Sequence, residues 1–453
     1  MLERLIIFGA TGDLTGRYLL PGLAALRARG YLGDRFQLIA TARENWDDPR
    51  YREYAARWLE QEASEVSPEA RSFIVGASIY RHLDLADQAS VAACVAGQGP
   101  LAVYLALPPS IFPMAVSALH RASLPAGSRV VLEKPFGEDL TGAIELNRLL
   151  AGVMSEREIF RVDHFLAMST VRMLLGTRLA NRVLEPIWNS AHIEEIEIIW
   201  EESLALEGRA GYYDGVGALK DMVQNHLLQV LCLLAMEPPI SLSERDLRDH
   251  KVHVLRSIRP FDEAAVRSST RRARYEAGQR GDRDVPGYVD ESGVDPANRT
   301  ETFAEVVLEL DSWRWAGTRF RLRSGKAFGR DRKEVVVHFR PVPHLPSEVE
   351  APPPNRLRFG FEPQDLALEM TGVGPGADLT LVPLVLQADL QEPELPAYGR
   401  LLLNVLSGNT ALSIRGDEAE ESWRVVTPIL EAWARDVVPL EDYDAGSEGP
   451  APR

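Results

Sequence analysis

The sequence predicts an α/β chain in which a doubly wound domain precedes a larger region built on a mainly antiparallel sheet. Three observations support this prediction. Short apolar runs alternate with helical patterns as far as about residue 165, a glycine-rich turn follows the first run, and later segments alternate polar with apolar residues. Strands alternating with helices are typical of a parallel sheet, whereas period-two alternation is typical of antiparallel strands with one solvated face.

The apolar runs of the N-terminal third have the length of strands. The first run, LIIF, ends at the turn GATGDL, and the apolar residues from Leu19 to Leu26 then follow a helical period. Because helical patterns separate the runs, consecutive strands should be parallel. The six predicted strands cover residues 5–8, 36–42, 80–85, 101–107, 129–135 and 159–165.

Segments with one polar face follow in the rest of the chain. They predict strands at residues 192–202, 302–310, 318–325, 333–339 and 356–362. The polar residues 346–355 are interpreted as a loop. The arginine-rich stretch 267–283 is also interpreted as a solvated loop, because acidic residues lie in and beside it. The tail, residues 445–453, is expected to be disordered.

Composition excludes several classes of function. The 453 residues suffice for two or three domains. A formal charge of −16 and a pI near 5.2 argue against a nucleic-acid partner. Cys94 and Cys232 are far apart in apolar surroundings, which makes a disulfide framework or a zinc site an unfavourable interpretation. The first apolar run is too short for a signal peptide and no run reaches membrane-span length, so a cytoplasmic location is expected.

The segment GATGDLTG, residues 9–16, is a candidate phosphate-binding turn because it follows a strand and opens a helix. Gly9 would permit a tight turn, and Gly12 would let the backbone approach a pyrophosphate at the helix N-terminus. The G-x-x-G spacing alone is a weak signal, and a purely structural turn is the alternative. Arg43, at the end of the second predicted strand, favours the 2′-phosphate of NADP, while the adjacent Glu44 keeps NAD open.

Residues 214–237 predict a long buried helix that nevertheless carries polar side chains. Asp221 and Asn225 stand four residues apart, and His226 adjoins them. Buried polar groups are costly unless they are paired, so the cluster is either a satisfied structural contact or a functional site. A histidine that acts as a general base needs a carboxylate to fix its tautomer, and Asp163 could supply one. We therefore interpret the cluster as functional.

The sequence resembles the glucose-6-phosphate dehydrogenase family over nearly its whole length. The resemblance rests on ordered blocks: GATGDL, YLALPPS, EKPFG, RVDHFL, EPIWN, EGRAGYYD, KDMVQNHLLQVLCLLAMEPP, RTETFAEV, RLRSGKA and AYGRLLLNVLSGN. It implies a Rossmann-like dinucleotide-binding domain over residues 1–165. It also implies a substrate-binding and dimerisation α+β domain over residues 166–444, through whose extended sheet homodimers or dimers of dimers form.

The same resemblance implies a role for individual residues. His226 would be the base that takes the proton of the sugar's anomeric hydroxyl, with Asp163 as its carboxylate partner and Lys134 as a substrate-binding lysine. Residues implied at the NADP site, with NAD as the alternative, are Gly9, Thr11, Gly12, Asp13, Leu14, Arg43, Pro108, Lys134 and Pro135. Residues implied at the sugar site are Tyr18, His164, Phe165, Met168, Glu202, Asp221 and Lys326.

Departures from the family pattern fall where cations would hold a sugar 6-phosphate. The family's lysine in R-I-D-H-Y-L-G-K-E is Met168 here, and its tyrosine is Phe165. Tyr18 replaces a lysine of the glycine motif, and Asp331 aligns with an arginine, although arginines flank it. A phosphate is costly to bury without such cations, so these changes predict a weakened phosphate site.

The predicted function is NADP-dependent oxidation of a hexose at C1 to the lactone, with glucose 6-phosphate as the default substrate. One alternative is a dehydrogenase of an unphosphorylated or differently modified aldose. A second alternative, from another class, is a non-catalytic paralogue that binds nucleotide or sugar as a regulatory subunit. The presence of Asp163, His226 and Lys134 argues against that alternative, because a regulatory subunit has no chemical need for them.

Overall fold

The computed structural model describes residues 1–97, 99–206, 208–346, 350–375, 380–391 and 393–451, which form two compact units. The first unit comprises Met1–Ser169, Pro239–Asp249 and Pro393–Glu420. The second comprises Thr170–Pro238, His250–Glu392 and Glu421–Arg453. The N-terminal segment of the first unit ends at Ser169, whereas the sequence predicts a domain boundary at residues 165–166. The second unit differs from the predicted continuous domain 166–444, because two later segments belong to the first unit.

A parallel sheet forms the centre of the first unit. Over the described residues its strands follow the order β3-β2-β1-β4-β5-β6, and every neighbouring pair is parallel. The strands are β1 Arg4–Phe8, β2 Gln37–Ala42, β3 Ser78–His82, β4 Ala102–Leu105, β5 Arg129–Glu133 and β6 Ile159–Val162. The intervening helices are α1 Leu20–Ala28, α2 Asp48–Glu62, α3 Pro68–Ala77, α4 Gln88–Val95, α5 Phe112–Ala122 and α6 Leu140–Val153. The order reverses between β1 and β4, where ligands bind in sheets of this kind.

A late helix completes the core of the first unit. Leu402 and Val405, which lie on the helix Ala397–Ser407, are buried in the same cluster as β1 and α1. Gly22 of α1 permits this packing, because a Cβ there would lie 3.0 Å from the backbone nitrogen of Gly399. Residues so distant in sequence gave no local sign that they share a core.

A mixed sheet of nine strands, counted over the described residues, forms the second unit in the order β16-β15-β14-β13-β7-β12-β11-β8-β17. Only the β7–β12 and β8–β17 pairs are parallel among these strands. The strands are β7 Ile193–Glu201, β8 Thr270–Glu276, β11 Phe303–Glu309, β12 Arg319–Gly325, β13 Arg332–Phe339, β14 Arg356–Phe361, β15 Gln364–Val373, β16 Leu381–Asp389 and β17 Leu440–Asp444, with a separate hairpin of β9 Gly278–Arg280 and β10 Arg283–Val285.

The remaining helices are α7 Ser169–Ala180, α8 Ala210–Tyr213, α9 Leu228–Ala235, α10 Glu244–Ser257, α11 Glu263–Ser269, α12 Ala397–Ser407 and α13 Gly416–Ala434. A segment whose backbone follows the wider π-helical pattern, Leu219–Leu227, leads directly into α9. None of the described helices is long and apolar enough to cross a membrane.

Two loop predictions are wrong. The arginine-rich stretch 267–283 contains the interior strand β8, because Arg271 and Arg272 are buried and bond to carboxylates, which satisfies their charge. The tail is ordered over residues 445–451, where Ala445 is buried and the Gly446 N–H donates to the Ala327 carbonyl at 2.8 Å. Residues 452–453, and residues 347–349 of the predicted loop 346–355, lie outside the described part of the chain.

Candidate active site

The glycine turn of the first unit has a geometry that only glycine can adopt. Gly9 has a φ of +88°, and a Cβ there would lie 2.1 Å from the carbonyl oxygen of Ala106, just beyond β4. The N–H groups of Gly9 and Ala10 both donate to the Thr41 carbonyl at 2.9 Å. The turn therefore passes closely between the carboxyl ends of β1, β2 and β4, at the reversal in strand order.

A backbone hydrogen bond and a tyrosine hydroxyl hold the shape of the turn. The Gly12 N–H donates to the Gly9 carbonyl at 3.1 Å, and the Tyr54 hydroxyl donates to the Thr11 carbonyl at 2.9 Å. Asp13 is exposed, whereas Leu14 packs against the core. The structure thus gathers Gly9, Thr11, Gly12, Asp13 and Leu14 in one loop that leads into a helical segment, which is the arrangement that a phosphate-binding turn requires.

Arg43 and Glu44 differ in their surroundings, although both are exposed in the loop after β2. The Thr11 hydroxyl donates to the Glu44 carboxylate at 3.1 Å. Glu44 is therefore bound to the glycine turn, and Arg43 presents a cation beside it. Pro108 follows β4, and Lys134 and Pro135 follow β5 and are joined by a cis peptide bond. All these residues lie at carboxyl ends of the first sheet.

Asp163 and His164 follow the end of β6. Asp163 is 4% exposed, and its carboxylate accepts a hydrogen bond from the Phe165 N–H at 2.9 Å, which caps the short turn His164–Ala167. His164 and Met168 are half-buried, whereas Phe165 is buried. The turn ends with the Met168 N–H donating to the Phe165 carbonyl at 3.0 Å.

Three rings are stacked beside this turn. The Tyr398 ring stacks on those of Tyr18 and His164, with centroid distances of 5.0 Å and 5.8 Å and interplanar angles of 23° and 15°. Sequence reasoning assigned roles to Tyr18 and His164 but none to Tyr398. The only signal was its place in the block AYGRLLL.

A carboxylate and two phenols adjoin the ring stack, and sequence reasoning missed this group as well. Glu133, the last residue of β5, accepts a hydrogen bond from the hydroxyl of Tyr104 and interacts electrostatically with the hydroxyl of Tyr398. Desolvation by the surrounding side chains raises the pKa of Glu133 to about 7, although the hydrogen bond from Tyr104 acts in the opposite direction. Burial raises the pKa of both phenols well above the ordinary value, so both remain neutral donors.

The second unit carries the predicted polar cluster on the segment Leu219–Leu227. The helix begins at Leu219, later than the predicted residue 214, because Gly217 has a φ of +73° and interrupts the preceding turn. His226 is 1% and Asn225 is 5% exposed, whereas Asp221 is half-buried. The Asn225 side chain accepts from the His226 N–H at 2.6 Å and donates to the Lys220 carbonyl at 3.0 Å, which holds the local backbone.

Lys326 and Glu202 meet in the second unit. Each follows directly on a strand end, because Glu201 of β7 pairs with Gly325 of the parallel strand β12. The Lys326 ammonium lies 2.6 Å from the Glu202 carboxylate and 5.7 Å from the centre of the Tyr213 ring. The structure therefore brings together a cation and a carboxylate that the sequence assigned to the sugar site.

The segment after Lys326 has acidic as well as basic side chains. Although burial acts to raise it, hydrogen bonding from Ser203 lowers the pKa of Asp331, whose carboxylate accepts from the Ser203 N–H at 2.6 Å. Arg332 donates to Glu334 at 2.6 Å, and Arg330 is an exposed side chain 3.6 Å from Glu448. Both flanking arginines thus have carboxylate partners.

Two family models match the chain. The description "Glucose-6-phosphate dehydrogenase, NAD binding domain" applies to residues 6–172, and "Glucose-6-phosphate dehydrogenase, C-terminal domain" applies to residues 175–453. A glucose-6-phosphate 1-dehydrogenase of Zymomonas mobilis is 36% identical, with 99% of this chain and 96% of that protein covered. One of Mycolicibacterium smegmatis is 39% identical, with 98% of this chain and 94% of that protein covered.

A solved structure described as "Glucose-6-phosphate dehydrogenase in complex with its substrate glucose-6-phosphate" superposes with a TM-score of 0.89. It is 30% identical, and the superposition covers 98% of this chain and 95% of that chain. The predicted family and fold class are confirmed. The chain belongs to the glucose-6-phosphate dehydrogenase family and is an oxidoreductase that acts on a CH–OH group.

Proposed function

We propose that the protein oxidises glucose 6-phosphate at C1, with NADP as the oxidant, and releases the lactone. The observation that carries this proposal is His226, an imidazole that is 1% exposed and whose backbone N–H is held by the Asn225 side chain of the same helical turn. The substrate named for a solved relative of the same fold supports the choice of sugar.

His226 is proposed as the general base. An imidazole nitrogen takes the proton of the anomeric hydroxyl, and the electron pair of that O–H bond forms the carbonyl of the lactone as the C1–H bond breaks. A bound nicotinamide supplies the chemistry of accepting the hydride. Asp163 is proposed to fix the histidine tautomer and to stabilise the imidazolium. Its own position is fixed, because it is buried and accepts the Phe165 N–H.

The sugar contacts are proposed from side chains of suitable chemistry. Lys134 and Lys326 offer ammonium donors, and Glu202 and Asp221 offer acceptors for sugar hydroxyls. His164 is proposed to contact the 6-phosphate, with the side chains of Tyr18, Phe165 and Met168 beside it.

NADP is proposed over NAD because of the loop after β2. The glycine turn fits a dinucleotide. Without a side chain, Gly9 lets the chain turn tightly against Ala106, because a Cβ at Gly9 would clash with the Ala106 carbonyl. Within that loop the Glu44 carboxylate accepts from Thr11, whereas Arg43 is exposed. A guanidinium is the group that recognises a 2′-phosphate. Pro108 and Pro135 are proposed to shape the cofactor site.

An unphosphorylated aldose is the second candidate substrate. The observation that favours it is the aromatic contact of His164, whose ring stacks on Tyr398, which in turn stacks on Tyr18. Met168 and Tyr18 add no positive charge at positions where the family carries lysine. This candidate predicts comparable catalytic efficiency with glucose and glucose 6-phosphate.

A substrate screen tests both candidates. Glucose 6-phosphate, glucose and other phosphorylated and free aldoses are each incubated with NADP or NAD, and the absorbance of the reduced nicotinamide is followed. The proposal predicts the highest kcat/KM for glucose 6-phosphate with NADP. A higher value for a free aldose would favour the second candidate, and no turnover with any sugar would favour a regulatory paralogue. The homodimer and the cytoplasmic location stay predictions, which light scattering and cell fractionation would test.

A further inference from the structure

Tyr398 makes two contacts in the first unit, one through its hydroxyl and one through its ring. Its hydroxyl interacts electrostatically with the Glu133 carboxylate, which accepts a hydrogen bond from Tyr104. Its ring lies 5.8 Å from the His164 ring at an interplanar angle of 15°. This distance and this angle are in the range of favourable ring stacking.

The anchor of the Tyr398 hydroxyl is rigid because it is built on neighbouring strands. Tyr104 is fully buried in β4, and Glu133 ends β5 directly beside β6 in the sheet. The register pairs Glu133 with Val162, the residue before Asp163. The carboxylate that holds Tyr398 is therefore fixed to the strand from which Asp163 and His164 emerge.

The other end of Tyr398 is also fixed. It is the second residue of α12, whose later residues Leu402 and Val405 are buried in the core of the first unit. A tyrosine that only tied α12 to the sheet would need its hydroxyl and not a parallel contact with a histidine. Here the ring covers one face of the imidazole and so restricts how that side chain can rotate.

We propose that Tyr398, anchored by Glu133 and Tyr104, is a positioning residue that holds the His164 ring in the orientation required for sugar binding. This inference rests on the proposed function, in which His164 contacts the substrate. Tyr398 takes no part in the transfer of the proton or the hydride. Its loss should therefore raise the KM for the sugar and leave kcat and the KM for NADP nearly unchanged.

The test compares Tyr398→Phe, which keeps the ring and loses the anchor, with Tyr398→Leu, which loses both. Tyr51→Phe is the matched control, because it removes a buried hydroxyl of the same unit for which the described residues provide no hydrogen-bond partner. Loss of an aromatic pair predicts a rise of roughly two- to tenfold in sugar KM for Tyr398→Leu. We expect a smaller rise for Tyr398→Phe and none for the control.

A second measurement does not depend on turnover. In protein with isotope-labelled histidine, the His164 ring resonance, assigned through His164→Gln, should lose its ring-current shift in Tyr398→Leu and keep most of it in Tyr398→Phe. Unchanged sugar KM with a shifted resonance would overturn the positioning role. An unchanged resonance would overturn the stacking itself. Failure of the wild type to oxidise glucose 6-phosphate would instead contradict the proposed function and leave the resonance result intact.

Discussion

The Glu301 carboxylate accepts a hydrogen bond from the Leu219 N–H at 2.9 Å, at the first turn of the helical segment that carries His226. A carboxylate at this end of a helix interacts favourably with the exposed N–H groups. Glu301 is also 7% exposed, and burial raises its pKa to about 7 although the Leu219 hydrogen bond lowers it. The residue therefore positions the His226 helix at an electrostatic cost that depends on pH.

Glu301→Gln should change how stability depends on pH. Because the folded-state pKa of about 7 lies above the ordinary value of 4.5, the folded protein binds this proton more tightly than the unfolded chain. The contribution of this proton to the free energy of unfolding is fully present below pH 4.5 and is lost as the pH rises through 7. The slope of that loss is at most about 1.4 kcal/mol per pH unit. The difference in melting temperature, variant minus wild type, should therefore become more positive between pH 5 and pH 8. A constant difference would contradict the raised pKa.

Arg43→Ala should weaken NADP binding by more than about tenfold and leave NAD binding almost unchanged, because only the 2′-phosphate requires the guanidinium. Titration of both cofactors by calorimetry measures this. Arg35→Ala is a matched control, since Arg35 is an exposed arginine just before the same strand, β2, and pairs with Glu3. Equal losses with the two cofactors would show that Arg43 does not bind that phosphate.

Met168→Lys should improve the use of glucose 6-phosphate and not of glucose. A restored ammonium recovers part of a charge-assisted hydrogen bond, about 1.5–3 kcal/mol or roughly tenfold or more in affinity. We expect a high wild-type KM for glucose 6-phosphate. Initial rates with both sugars measure the effect, and Met114→Lys, at an exposed methionine of α5, is the control.

Another cation in place of the missing lysine would give a different result. Arg330 and Arg332 flank Asp331, which aligns with an arginine of the family, but each lies beside a carboxylate, Glu448 or Glu334. If wild type already binds glucose 6-phosphate at micromolar levels and Met168→Lys adds nothing, the prediction of a weakened phosphate site is wrong.

Local sequence patterns predicted much of the fold. The runs at residues 5–8 and 129–135 correspond to β1 and β5, because a buried parallel strand needs only a short apolar segment. The same rule failed for β8, whose arginines are buried against carboxylates that are distant in sequence. The inclusion of α12 in the first unit depends on packing between Gly22 and Gly399, which no local pattern records.

The location of a candidate residue was predictable where a short sequence motif contains it. Gly9 and Lys134 were identified from motifs, and the structure places both at carboxyl ends of the first sheet. Tyr398 and Glu133 were missed because their importance lies in a contact between them, across more than 250 residues of sequence. Pairwise contacts of this kind have no signature in a single sequence.

The most direct test of the account is the turnover of His226→Asn with glucose 6-phosphate and NADP. His253→Asn, at an exposed histidine of α10, serves as the control. Loss of a positioned general base predicts a fall in kcat of about two to four orders of magnitude, with an unchanged melting temperature and unchanged NADP affinity. The control should retain wild-type kcat. A His226→Asn variant that turns over at nearly the wild-type rate would contradict the assignment of His226 as the base.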